Sequence, residues 1–155
     1  IYGAGDKKLG TVVGGNRNAG RELRERFLTN LPALKELKDR VTRASAKGFI
    51  KALDGRKLFI RSPHSALNTL LQGGGSIAMK RALIGLDSKI KADPNVDAGF
   101  VANIHDEWQI EVNEFPADMV GKWGVDSIRE AGEYYKLNCP LDGEYKVGGS
   151  WNETH

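Results

Sequence analysis

Residues 100–112 read FVANIHDEWQIEV, and this stretch decides the fold. Apolar and β-branched residues occupy 100–104, and three polar residues follow, His105, Asp106 and Glu107. Alternation resumes at Trp108, Ile110 and Val112. Two short strands flanking a tight polar turn form a β-hairpin. Its tip carries two adjacent acids and a histidine. A hairpin lifts such side chains out of the sheet on a rigid base, which suits a metal-assisted reaction. A solvated turn accounts for the same residues, because acids are common in turns. The surrounding chain has to decide.

Upstream of the hairpin, residues 65–91 carry a long helical pattern through Leu67, Leu70, Leu71, Ile77, Ala78, Leu83, Ile84 and Leu86. Asn68 and Gln72 are four apart and share one helix face. Amides there could read nucleic-acid groove edges, or serve as ordinary surface groups. Gly73, Gly74 and Gly75 interrupt the pattern, and each helix-interior glycine costs roughly 1 kcal/mol against alanine. The run therefore calls for close backbone packing or a break in the helix. Before it, residues 49–53 and 57–61 read as two strands joined by a two-residue Asp54-Gly55 turn. Arg56, Lys57 and Arg61 decorate that hairpin, and Ser62-Pro63 ends it.

Further upstream are two helices. Leu23, Phe27 and Leu31 fall on one face of the first; Leu34, Leu37, Val41 and Ala44 point inward on the second. Asn30 and Pro32 mark the junction, and Gly48 closes the second helix. Gly3, Gly5 and Gly10 punctuate the opening without forming a phosphate-binding loop. Downstream of the central hairpin, Phe115-Pro116 opens a helix with Val120, Gly124, Ile128 and Ala131 at helical spacing. Residues 141–147 alternate weakly and read as a late strand. The fold class is α+β, helices packed on a small, mainly antiparallel sheet.

The chain has 155 residues, 40% of them hydrophobic, enough for a domain-sized core. No apolar run is long enough to cross a bilayer, and the expectation is a chain with no membrane partner and no signal peptide. The single cysteine, Cys139, fits a reducing compartment, and no cysteine or histidine pair has zinc-site spacing. Residues 1–61 hold 15 Lys/Arg against 6 Asp/Glu, whereas residues 62–155 hold 8 against 14. A basic half joined to an acidic half points to a polyanion on one side and room for a divalent metal on the other. The chain opens on Ile1 without a methionine, which reads as the middle of a longer chain.

Five stretches together resemble the C-terminal end of a family A DNA polymerase, most closely its phage branch. Tyr2-Gly3 resembles the end of the fingers helix that binds the nucleotide. LDGRK, residues 53–57, resembles the palm hairpin. Ser62-Pro63-His64 with ALNTLLQ, residues 66–72, resembles the helix that lies along the primer-template. IHDE, residues 104–107, resembles the catalytic carboxylate hairpin. The ending, from Gly148 through Trp151 to His155, resembles the family's own. The resemblance implies palm with adjoining fingers: residues 1–48 a helical fingers part, 49–155 a palm part.

It also implies transfer of deoxynucleotides from their triphosphates to a primer 3′-hydroxyl on template DNA, with two Mg2+ ions. Asp106 would ligate metal, Glu107 would support the metal site and His105 would hold the primer end. Asn68 and Gln72 would contact the duplex minor groove, and Tyr2 would lie by the insertion site and the template base. Arg56 and Arg61 belong to the basic half that would face DNA phosphates. The family's other catalytic aspartate, and the Lys and Arg that hold the triphosphate, fall upstream of these residues. The expectation is therefore a fragment or one half of a split enzyme, working with an N-terminal polymerase polypeptide in the cytoplasm (the host's, if phage-encoded). The alternatives are a non-catalytic DNA-binding remnant and a fragment of a single-subunit phage RNA polymerase.

Overall fold

The computed structural model describes residues 4–154, so Tyr2 and His155 lie outside the described residues. It forms two compact units, Ile1–Gly73 and Gly74–His155. The division falls within one long helix. The first unit holds α1 (Asp6–Val12), α2 (Arg17–Asn30), α3 (Pro32–Ala44), strands β1 (Phe49–Lys51) and β2 (Lys57–Phe59), and the start of α4 (Ala66–Ala92). The second holds the rest of α4, strands β3 (Ala98–Ile104) and β4 (Glu107–Val112), α5 (Ala117–Tyr134) and the short α6 (Trp151–Thr154). The α+β class holds, but the strands make two separate antiparallel hairpins rather than one sheet.

Helix α1 is not legible from its glycines, which read as punctuation. Gly10 lies inside it because α1 and α2 meet backbone to backbone. A Cβ on Gly20 would fall 2.0 Å from the Asp6 carbonyl oxygen, and one on Gly10 would fall 2.0 Å from that of Asn16. Asn16 caps α2, its side chain accepting from the N–H groups of Asn18 and Ala19 at 2.9 and 3.1 Å. Within this unit α2 buries its glycine side, so Leu23, Phe27 and Leu31 stay about two-fifths exposed (40, 42 and 43%), against expectation. Leu37 is also exposed, while Val41 is buried. Leu31, not Asn30, precedes α3, and its side chain makes no capping bond.

Gly20→Ala should therefore destabilise the α1–α2 pair. Alanine's helix preference gains up to about 1 kcal/mol. The collision with backbone, which cannot swing aside like a side chain, outweighs that gain. A net loss of about 2 kcal/mol is expected in the denaturant midpoint. An unchanged or raised midpoint would contradict the close approach.

The core of the first unit is Val41, Ile50 and Ala66, with Leu58, Ile60, Leu67 and Leu70 packed against it. The β1–β2 loop has three residues rather than two. Ala52 N–H donates to the Arg56 carbonyl at 2.9 Å, enclosing Leu53, Asp54 and Gly55, and Gly55 takes φ +84°. The glycine run does not break α4. A Cβ at Gly73 would meet Leu58 Cδ1 at 2.6 Å, so the helix is notched where the hairpin's apolar residue sits. Gly75 meets nothing within 4 Å, and no contact explains it.

In the second unit Leu86, Ile90 and Val120 are buried, ringed by Val96, Ala98, Phe100, Trp108, Ile110, Val112 and Trp123. Phe100 meets Trp108 edge to face, ring centres 6.5 Å apart. Residues 141–147 form no strand. Leu141 lies on Gly132, Gly143 on Ile128 and Tyr145 on Gly121, where the nearest atoms to an added Cβ would be 3.0, 2.8 and 2.2 Å away. Every second residue thus faces α5, and the segment runs back along the helix as a strap. The alternation is real, but its partner is a helix face rather than a strand. Two polar contacts hold it: Tyr145 O–H donates to Asp118 Oδ1 at 3.3 Å, and Arg129 pairs with Asp142 at 3.0 Å.

Candidate active site

The central hairpin pairs Ala98 with Val112, Gly99 with Glu111 and Phe100 with Ile110. The register then shifts, and Ala102 pairs with Gln109, leaving Val101 as the extra residue of a bulge. Paired residues share a face. The bulge therefore switches the parity of β3, so that Ile104 and Ala102 lie on the face carrying Glu107 and Gln109. Trp108, Ile110 and Val112 take the opposite, core-facing side. That core-facing side anchors the hairpin by apolar burial.

Ile104 pairs with Glu107, so the turn is two residues long, His105 and Asp106, and Glu107 is the first residue of β4. The three-residue polar turn read from the sequence is one residue too long. His105 has φ +55°. Histidine tolerates the left-handed region better than most residues, yet the conformation costs free energy that glycine would not incur. Both His105 and Asp106 are exposed at the tip.

Glu107 is held from two directions. Gln109 Nε2, two residues along the same strand face, donates to Glu107 Oε1. Trp151 Nε1 in α6 donates to the same oxygen at 3.3 Å. Thr154 Oγ1 donates in turn to Gln109 Oε1 at 3.3 Å, which orients the amide that serves the carboxylate. Gln109 was open to sequence reasoning as a same-face neighbour at i+2. Trp151 and Thr154 were not, because more than forty residues separate them from the hairpin.

Asp106 is a hard oxygen donor of the kind divalent cations take, and its exposed place at the tip suits a ligand. No group of three or more His, Cys, Asp or Glu side chains able to hold a metal occurs among the described residues. Asp106 thus has the chemistry and the exposure of a single ligand position for a divalent cation.

The other sequence-predicted residues lie in the first unit. Asn68 and Gln72 are one turn apart on α4, Gln72 exposed and Asn68 half-buried with its Oδ1 buried and unpartnered. Arg61 is exposed. Arg56 is partly neutralised by Asp54, Nε to Oδ2 at 2.6 Å. Desolvation pushes the Asp54 carboxyl up, but the Arg56 N–H and guanidinium together bring it below the usual aspartate range. A cleft of about 490 Å³ is lined by Asp6, Arg17, Asn18, Arg21, Arg24 and Glu25. Tyr2 lies outside the described residues. No helix among the described residues is long and apolar enough to cross a membrane.

An α+β arrangement of this kind is shared with a solved structure. The POL domain of Pol1 from M. smegmatis, in complex with DNA primer-template and dNTP, superposes with a TM-score of 0.75 at 20% identity, over 95% of this chain and 27% of that one. The family profile described as DNA polymerase family A matches residues 1–153, and the chain belongs to that family. The DNA-directed DNA polymerase of Escherichia phage Phieco32 is 38% identical over 99% of this chain and 26% of its own length. That of Escherichia phage T7 is 34% identical over 100% of this chain and 25% of its own. DNA polymerase I of Pseudomonas aeruginosa is 29% identical over 100% and 18%. The chain thus spans about a quarter of the length of the phage relatives. Membership of family A sets aside the single-subunit RNA polymerase reading.

Proposed function

We propose that these residues are the C-terminal catalytic portion of a DNA-directed DNA polymerase that extends a primer 3′ end with deoxynucleotides. The observation that carries this reading is Asp106, exposed at the tip of a hairpin anchored by its core face, in a chain of family A. Residues 1–48 are the fingers part and 49–155 the palm part. Asp106 ligates metal, Glu107 supports the site from the adjoining strand position, and His105 helps hold the primer end. Two Mg2+ ions, when bound, activate the attacking hydroxyl and neutralise charge on the transferring phosphoryl group. Tyr2 lies near the incoming nucleotide and the template base.

Asn68 and Gln72 contact the minor groove of primer-template DNA, and Arg56 and Arg61 contribute to phosphate binding. Gln72, exposed on the face it shares with Asn68, is the amide of the two that is open to such a contact. The remaining carboxylate and the triphosphate-binding Lys and Arg are supplied by residues outside this sequence, on the same chain or on an N-terminal polypeptide. We refer to the whole as the assembled polymerase. A cytoplasmic location goes with this role. The alternative reading is a DNA-binding remnant without chemistry.

Primer extension with Mg2+ separates the two. The isolated chain should give no extension and the assembled polymerase should, with preference for deoxynucleotides over ribonucleotides. Binding without extension in the assembled polymerase would favour the remnant; extension by the isolated chain would overturn the claim that ligands are missing.

Salt gives an independent check on the DNA side. Released counterions make log affinity fall linearly with log salt, with slope about −0.9 per neutralised phosphate. If about four phosphates are engaged, affinity for primer-template should fall roughly 100-fold between about 50 and about 200 mM salt. A flat response would count against a duplex tracked by the basic residues.

A further inference from the structure

We propose that the C-terminal turn, residues 148–154, is a positioning clamp for the Glu107 carboxylate, with Trp151 as its principal positioning residue. This rests on the polymerase reading and adds to it a role for residues outside the hairpin.

The clamp is built in two steps. The turn first closes on itself. Gly149 N–H donates to Glu153 Oε2 at 2.8 Å, and Gly148 passes so close that an added Cβ would lie 2.8 Å from Glu153 Cβ and 3.2 Å from Thr154 Cγ2. Thr154 Oγ1 also lies 3.2 Å from the Trp151 carbonyl. A four-residue helix has little stability alone, so these local bonds give α6 its shape.

The closed turn then reaches the hairpin at two points. Trp151 Nε1 donates directly to Glu107 Oε1, and Thr154 reaches the same oxygen through Gln109. Both donors point at the same carboxylate oxygen, and together they restrict its side-chain torsions. A flexible glutamate beside a metal-binding aspartate would sample several rotamers. One held by an indole N–H and an oriented amide is confined to one arrangement before substrate binds. Half of the Trp151 surface is exposed, so apolar burial alone gives a weak account of its place there.

The test uses the assembled polymerase and single-turnover extension of a primed template with Mg2+. Trp151→Phe keeps the ring and removes the N–H donor. The maximum rate should fall about tenfold, the usual scale for losing a partner that orients an active-site ligand. Apparent affinities for deoxynucleotide and primer-template should change less than about twofold, because the contact serves the chemical step. Gly148→Ala, which opens the turn from outside the network, should lower the rate in the same direction.

In a Glu107→Ala background Trp151→Phe should add nothing, since the group it serves is gone. A full rate in Trp151→Phe, or an equal loss with Glu107 removed, would overturn the clamp. If Trp151→Phe fails to fold, as judged by circular dichroism, Thr154→Val carries the same expectations and the same overturning results. Asp106→Asn serves as the control for the underlying reading. If that variant extends normally, the polymerase assignment of the hairpin and the clamp fall together; if it is inactive while Trp151→Phe is normal, only the clamp falls.

Discussion

Asp106→Asn should lower primer extension by the assembled polymerase about 1,000-fold, equivalent to about 4 kcal/mol of transition-state stabilisation. The substitution keeps size and shape, and Asp106 is exposed at the turn, so folding has little reason to change. What changes is charge and ligand strength, since an amide is a poorer partner for a divalent ion than a carboxylate. Affinity for primer-template should stay within about twofold, because the proposed function assigns it to phosphate contacts of the basic residues. Raising Mg2+ should recover part of the rate. The measurement is single-turnover extension across a Mg2+ series with binding followed separately. Undiminished extension would remove Asp106 from the chemistry.

Leu86→Ala should destabilise the second unit by about 3 kcal/mol. Leu86 is fully buried between Ile90 and Val120, with the hairpin's core face packed on the same cluster. Truncation removes apolar burial and leaves a cavity that the surrounding helices and strands cannot wholly close. Because Phe100, Trp108 and Ile110 share that cluster, the hairpin should lose rigidity as well. Extension should then fall even at temperatures where the protein remains folded. Urea unfolding gives the first quantity, and the temperature dependence of extension gives the second. A loss under about 1 kcal/mol would mean that the site repacks freely.

The hairpin, α3, α4 and α5 were legible because each is governed by local periodicity, which the sequence displays directly. The candidate carboxylates were legible because a turn between two strands has few places to put a polar triplet. Their supports were not. Trp151 reaches Glu107 through the fold, and no spacing rule links the two positions. The exposure of Leu23 and Phe27 was also hidden, because an apolar stripe shows that a helix can bury a face but not which side its neighbour takes. Gly10 and Gly20 decided that, and a glycine reads equally well as a break or as a point of close approach. Residues 141–147 show the same ambiguity, since alternation fixes which residues face inward and leaves the nature of the partner open.

That strap also sets the phase of the chain's end. The smooth places on α5 at Gly121 and Gly132 accept Tyr145 and Leu141, and no backbone ladder is needed to hold the segment there. Slipping by one residue would bring Asp142 and Glu144 against the helix, turn Tyr145 outward and break the Arg129 pair. Two unpaired charges meeting an apolar notch make such a slip costly. The helix therefore works as a ruler: it meters the chain so that Trp151, six residues beyond Tyr145, arrives opposite Glu107 and not one residue short or long.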